Sequence, residues 1–507
     1  MIISLSVLVI TIIVSGTYAL YKAQLSKNIG VNTTTHGLAY YINYVKGTDI
    51  TAATLNPSTS YEGGASSDIE FWKKDDSYDI YGKIELTVNT IGTNLSNSPA
   101  LKYAVVNNGN VLKEGSLKGT TSGSKVTILK NLYLEQTKQI YTVYVWLDNS
   151  EELGNISNES LSISVDCTAS LQKEPTAADT IISLYTSAAK VTATNNSITY
   201  NTAPSVSLMN DRLGGTTTSL DGGNIRYYGA SPNNYIYFNC SDYSNQTSST
   251  CETWRIIGVF DGKLKLIRGS QIGKYSWDNK NTSTGAENNS GKNDWTTARL
   301  MKLLNPRDYY KVDSNDNNLG QSLYYNSASG KCYSGQNNAT VDCDFTSTGI
   351  KNDETRNMIA ETTYYLGGWN SYSVYPNEIY EYERGTTVYT GRPPTWPGKI
   401  ALAYPSDYGY AADLNQCKDK TLYYYDNSTC TSNNWMKAIL GTSSHGWLLT
   451  PRSGGSYNAW NVYSGGYVGS TYLAYYAIGA VPVLSLSSKL GIESGDGSSS
   501  NPYKLSA

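Results

Sequence analysis

HGWLLTPRSGGSYNAWNVYSGGYVGSTYLAYYAIGAVPVLSL, residues 445–486, sets an apolar frame against an interleaved polar and tyrosine set. Trp447, Leu448, Leu449, Trp460, Val462, Val468, Val481, Val483, Leu484 and Leu486 recur at the spacing of short core strands. Between them fall Tyr457, Asn458, Asn461, Tyr463, Tyr467, Ser470, Tyr472, Tyr475 and Tyr476. Tyrosine gives large contact area at low entropic cost, and Ser, Gly and Asn add adaptable hydrogen bonds, which is the chemistry of a paratope. These nine residues are the expected ligand-binding surface, with Trp447 and Trp460 as packed frame.

Upstream, from Asn224, the strand-like runs YIYFNC (235–240) and TWRIIGVFDGKLKLIRG (253–269), with an Asp-Gly hairpin at 261–262, predict a sheet that the terminal WLLTP and AVPVLSL complete. One helix is expected over 295–305 (WTTARLMKLLN), with Asp294 placed to accept its first free amides. Long stretches dense in Asn, Ser, Gly and Tyr separate these elements, so residues 224–507 read as an α+β domain carrying long loops, where binding functions commonly sit.

Residues 23–170 differ. IELTVNTI (84–91), LKYAVVNNGNVLKEGSL (101–117, with Asn108-Gly109), KVTILKNLYL (125–134), IYTVYVWLD (140–148) and LSISVDC (161–167) alternate apolar and polar positions between turns. That pattern predicts an antiparallel, Ig-like β-sandwich, so the chain as a whole is expected to be mainly β with minor α. Residues 171–223, rich in Ser, Thr, Ala and Asn, read as a linker with one short helix over 177–190. Within it, 213–223 (LGGTTTSLDGG) reads as a flexible loop.

Residues 2–20 are nearly continuously apolar and are followed by Lys22 and Lys27, so 1–22 is expected to be a signal peptide or membrane anchor. Of seven cysteines, six form close pairs, Cys240 with Cys251, Cys332 with Cys343, and Cys417 with Cys430, each bracketing a polar turn-rich loop. Local disulfides in an oxidising compartment are expected, each loop closure contributing on the order of 3 kcal/mol in the chain-entropy account. Cys167 is left over, as a buried thiol near a strand end. No Cys/His spacing suggests zinc.

The chain holds 45 Tyr against 4 Phe, only 16 % charged residues and a net charge of −3. Aromatic content of that kind tolerates a wet edge, and the charge excludes a nucleic-acid footprint or a polybasic membrane patch. Catalysis of the Ser/His/Asp or Cys/His kind needs an activating base, yet the only histidines are His36, beside the export segment, and His445, read as a strand-edge residue. Glu378, Glu381 and Glu383 in NEIYEYER read as a solvated face rather than an acid/base pair. No cofactor is expected; VDSNDNNLG (312–320) offers calcium-type oxygen ligands but lacks the terminal glutamate of the twelve-residue calcium loop, and reads as a polar surface loop.

NIRYYGASPNNYIYFNC (224–240), CETWRIIGVF (251–260), GKNDWTTARLMKLLNP (291–306), HGWLLTPRS (445–453), IGAVPVLSL (478–486) and GIESGDGSSSNPYKL (491–505) together resemble a lectin-like domain of secreted Gram-positive bacterial proteins. That domain is similar to the C-type-lectin-like fold shared with formylglycine-generating-enzyme-type domains. The family's Gly-Val-Arg-Pro is Gly479-Ala480-Val481-Pro482 in this chain, and no cysteine follows Cys430, so the redox cysteines of the oxidising enzymes are missing. Residues 452–477 also resemble the variable segment of diversity-generating-retroelement receptors, and the N-terminal region resembles camelysin/TasA-like sandwiches of surface fibres. The resemblance implies a non-catalytic, secreted or surface-held, adhesin-like protein binding a glycan or a surface protein, with a membrane contacted only through residues 1–22. A diversified receptor, or a fibre subunit built by strand exchange, is the alternative.

Overall fold

The alternation in residues 84–167 becomes two sheets with one core between them. In the first sheet Leu161–Ser170 lies between Tyr81–Ile91 and Ala23–Gln24, and Lys125–Tyr133 closes the far side. In the second, Ile140–Asp148 lies between Ala65–Lys73 and Leu101–Asn107, flanked by Ile42–Val45 and Asn110–Ser116. The inward set, Ile84, Leu86, Val88, Ile163 and Val165 from one sheet against Ile69, Phe71, Val105, Val143 and Val145 from the other, is a single apolar cluster. A period of two along each strand puts these side chains on one face, which makes the unit a β-sandwich. Asn108 and Gly109 both take the left-handed backbone that a two-residue hairpin requires. Cys167 is buried in this core, and burial, with Asp166 and Glu85 nearby, holds its thiol well above its ordinary pKa.

These coordinates come from a computed structural model that describes residues 23–24, 41–51, 55–156, 158–196, 198–212, 223–279, 290–311, 319–334, 340–442 and 444–506. The expected signal peptide or anchor, His36, residues 213–222 and most of the 312–320 loop lie outside them. The chain divides into two compact units, Met1–Glu174 and Pro175–Ala507.

The expected linker is corrected by that division, because residues 175–212 are built into the second unit. Thr176 and Asp179 cap the helix Ala177–Ser187 reciprocally, the Thr176 side chain accepting from the Asp179 amide and the Asp179 carboxylate from the Thr176 amide. Its Ile181 and Tyr185 are buried in the main core. Val191–Asn195, Ile198–Ala203 and Leu208–Asn210 are consecutive strands of a nine-stranded sheet that continues through Ile225–Tyr227, Glu252–Phe260, Lys263–Arg268, Val483–Ser485 and Ile400–Ala401. Their polar composition reads as spacer only while their pairing partners are unknown.

The expected helix over 295–305 is also broken: Trp295–Thr297 is a 3-10 turn, and the α-helix is Arg299–Leu304, after an extended Ala298. Asp294 does cap, accepting from the Thr296 amide. All three expected disulfides are present. Such bridges persist in an oxidising environment. No helix of the described residues is long and apolar enough to cross a membrane.

Candidate functional site

The 445–486 segment forms most of a five-stranded sheet in the order Gly273–Ser276, Ala477–Ala480, Gly446–Pro451, Asn458–Val462, Val468–Leu473. Every residue of Gly446–Pro451 and Asn458–Val462 is buried, because this sheet has a core on both faces. Trp447, Leu449 and Ala459 pack into one cluster, and Leu448, Trp460, Val462 and Val468 into another. Trp447 and Trp460 are therefore frame, as expected, and the Trp447 indole also donates to the Tyr275 carbonyl at 2.9 Å. The same two-sided burial corrects three expected ligand-binding residues. Asn458, Asn461 and Ser470 lie inside, and Asn458 spends its amide on the Thr471 carbonyl. Tyr457 precedes its strand at the end away from Tyr463 and is only partly exposed.

The remaining five expected residues converge. Tyr475 meets Tyr476 at 4.8 Å between ring centroids, Tyr476 meets Tyr472 at 5.2 Å, and Tyr472 meets Tyr463 edge-on at 5.3 Å. Tyr463 stacks on Tyr467 at 4.1 Å with the rings 12° apart. The line then leaves the segment: Tyr467 meets Tyr423 at 5.7 Å, and Tyr423 meets Tyr372 at 4.7 Å and Tyr424 at 5.2 Å. The result is a continuous aromatic ridge.

Local chemistry explains how each part is held. The Tyr463–Tyr467 turn is closed by the Tyr463 amide donating to the Tyr467 carbonyl at 2.9 Å and the Gly466 amide to the Tyr463 carbonyl at 2.8 Å. Gly466 has φ +101°, a conformation that disfavours a side chain. Two groups pin this turn: the buried Tyr408 hydroxyl donates to the Gly466 carbonyl at 2.6 Å, and the Ser464 amide donates to His445 Nδ1 at 2.9 Å. On the other side, Leu422–Tyr424 is a 3-10 turn, in which residues three apart share a face. Leu422 and Tyr425 are fully buried on that shared face, so Tyr423 and Tyr424 point outward, 38 % and 55 % exposed. The Cys417–Cys430 disulfide closes the loop that presents them.

The ridge carries no charge of its own at neutral pH. Burial, then Lys274, hold the His445 imidazole below its ordinary pKa, so it is neutral and its ring rests against Tyr463 at 4.6 Å and Tyr472 at 5.1 Å. Burial raises the hydroxyl pKa of Tyr463, Tyr467, Tyr472 and Tyr476 above the usual tyrosine value, reinforced by neighbouring tyrosines, so these groups stay protonated. The surface therefore offers ring faces, ring edges and hydroxyls that both donate and accept.

Sequence reasoning missed Tyr372, Tyr423 and Tyr424. The signal was present as YYY at 423–425 inside the Cys417–Cys430 bracket, but their adjacency to Tyr467 is tertiary. It also misjudged Glu383, which is fully buried rather than part of a solvated face. Glu378 instead caps its helix by accepting from the Tyr375 amide, and Glu381 is exposed. The Glu383 carboxylate accepts from the Ser406 amide at 2.9 Å and hydroxyl at 2.5 Å, and burial pushes its pKa up to about 7. Next to it, Asp407 accepts from Arg226 Nη1 at 2.9 Å, from Lys265 Nζ and from the Tyr404 amide. Arg226, Asp407 and Glu383 are out of solvent reach, so this network locks the helix Pro405–Tyr410 to the nine-stranded sheet and, through Tyr408, supports the ridge turn.

No protein-family profile matches the chain, and no curated protein matches it. Among solved structures it has a likeness to the crystal structure of an HCR/D mutant, at 11 % identity and a TM-score of 0.15, covering 51 % of this chain and 76 % of that one. A likeness of that size carries no argument.

Proposed function

We propose that the second unit is a non-catalytic binding module that takes an extended, uncharged, hydroxyl-rich ligand, a glycan, along the tyrosine ridge. The observation that carries this reading is the unbroken line of rings from Tyr475 to Tyr372, assembled from three separate chain segments and lying beside a neutral imidazole. A sugar buries its CH-rich face against an aromatic ring while its hydroxyls stay bonded at the edge, and an elongated ridge suits a chain of such rings better than a compact small molecule. Lectin-like and adhesin-like roles at a cell surface follow from that reading, and the disulfides agree with an oxidising, extracellular setting.

The test is binding of the full chain to an array of neutral oligosaccharides and polysaccharides, compared with a Tyr467→Ala/Tyr423→Ala variant. We expect wild-type binding that strengthens with oligosaccharide length and is lost in the variant at unchanged melting temperature. Binding that survives both substitutions removes the ridge from the mechanism. Binding to a protein surface but to no glycan, lost in the same variant, transfers the ridge to a protein partner.

A further inference from the structure

Asn461 sits at the middle of the ridge, one layer down. Its Cα partners are Trp447 on one side and Gly469 on the other, so its side chain shares a face with Trp447. That face is the one the ridge covers. Tyr472, paired with Ala459 two residues earlier, stands on it with its ring 6.4 Å from that of Trp447. A Cβ on Gly469 would lie 2.6 Å from Tyr463 Cε2, so the missing side chain at 469 is what lets the Tyr463 ring lie down over the strand.

Beneath this cover Asn461 is 0 % exposed, and neither its Oδ1 nor its Nδ2 finds a hydrogen-bond partner among the described residues. A buried amide left unpaired costs stability, and an apolar side chain of similar volume would escape that cost. Trp460, whose indole nitrogen is also unpaired, belongs to the core on the opposite face, so it does not account for Asn461. The amide is also an apt reader of vicinal hydroxyls, with one acceptor and two donors on one rigid plane.

We propose that Asn461 is a concealed polar subsite of the ridge: when a glycan lies along the tyrosines, Tyr463 swings off Gly469 and the Asn461 amide bonds two neighbouring sugar hydroxyls. This rests on the ridge being the binding surface. Tyr463 is suited to the swing, since among the described residues its hydroxyl is held by a single exposed contact, 3.3 Å to Thr471 Oγ1. Asn461 then sets specificity for the hydroxyl pattern, while the outer tyrosines supply contact area.

The experiment compares wild type, Asn461→Leu and Tyr467→Ala/Tyr423→Ala as full chains, by thermal melting and by affinity for the strongest ligand on a neutral-oligosaccharide array. We expect Asn461→Leu to melt at the wild-type temperature or above it and to bind about tenfold more weakly, the size of one lost hydrogen-bonding group. A folded Asn461→Leu that melts below the wild type means that the amide serves the fold, and overturns the subsite. Unchanged affinity in Asn461→Leu, with binding lost in the double-tyrosine variant, overturns the subsite and leaves the ridge standing. Unchanged affinity in both variants, or no glycan bound at all, overturns both. Should Asn461→Leu fail to fold, Asn461→Ala is read by affinity in the same way, since it removes the amide without placing a new shape in the core.

Discussion

The two units bury different chemistry. The first has a mostly aliphatic core of Ile, Leu, Val and Ala, with Phe71, Tyr103 and Tyr141 among them, and each of its ion pairs, such as Lys46 with Asp166 at 3.2 Å, keeps at least one partner in contact with solvent. The second fully buries Trp254, Trp277, Trp295, Trp447, Trp460 and several tyrosines, together with Arg226, Asp407 and Glu383. An aliphatic core between two sheets asks only that apolar residues alternate. A core containing indoles, phenols and charges asks in addition that most polar tips, and every charge, find a partner, which ties distant segments together. The second unit gains from this a rigid base for a tyrosine surface, and it becomes sensitive to single polar substitutions where the first is sensitive to volume.

That contrast can be broken most directly at Asp407. Asp407→Ala leaves Arg226 and Lys265 buried without their shared carboxylate, and we expect the second unit to lose about 3–5 kcal/mol. Lys46→Ala in the first unit should cost at most about 1 kcal/mol, as exposed pairs do. Urea unfolding followed by peptide-resolved labelling separates the two units and checks both; equal costs would abolish the distinction.

Acidity should act on the units with opposite sign. Burial raises Glu383 from 4.5 to about 7 and Asp278 from 3.8 to about 6, so the folded second unit holds protons that the unfolded chain has released. Its stability should therefore fall as pH rises from about 4.5 to about 7. In the first unit Asp148 is pushed up by burial but pulled further down by Lys102 and Ser150, to about 2. The stability it provides is present above its ordinary 3.8 and lost as pH falls toward 2. The same urea assay at pH 5 and pH 7 should show a higher midpoint at pH 5 for the second unit and no change for the first. A second unit that weakens at pH 5 would contradict the assignment.

The smallest expected effect concerns the ridge itself. Tyr424 is 55 % exposed, so Tyr424→Ala should change the second unit's stability by no more than about 0.5 kcal/mol while weakening glycan binding. A large loss of stability would show that the ring is structural, and calorimetric melting beside the array measurement decides it.

Legibility followed the same divide. The hairpins at Asn108-Gly109 and Asp261-Gly262, the sandwich strands and the cysteine pairs were readable because each depends on neighbours a few residues away. Residues 191–210 were not, since TATN and TYNTA become strands only through pairing with one another and with Ile225–Tyr227. Within the candidate site, Tyr463, Tyr467, Tyr472, Tyr475 and Tyr476 were legible as exposed-type positions between core residues. Asn458 and Asn461 were misread because a strand between two cores has no solvent face, so polarity there no longer reports exposure, and Ser470 lies in the buried first half of the edge strand Val468–Leu473.

The sequence by itself determined a mainly β chain, a sandwich ahead of a loop-rich second unit, three local disulfides and a segment that sets many tyrosines in an apolar frame. Those features rest on period, turn residues and short separations, which a linear pattern records. Tertiary structure alone decided that Tyr372 and Tyr423 extend the ridge, that Glu383 lies inside, and that Asn461 is buried with its amide unpaired. Each depends on which distant segment occupies the far side of a strand or turn, and hydrophobic pattern reports that a face is covered without reporting by what.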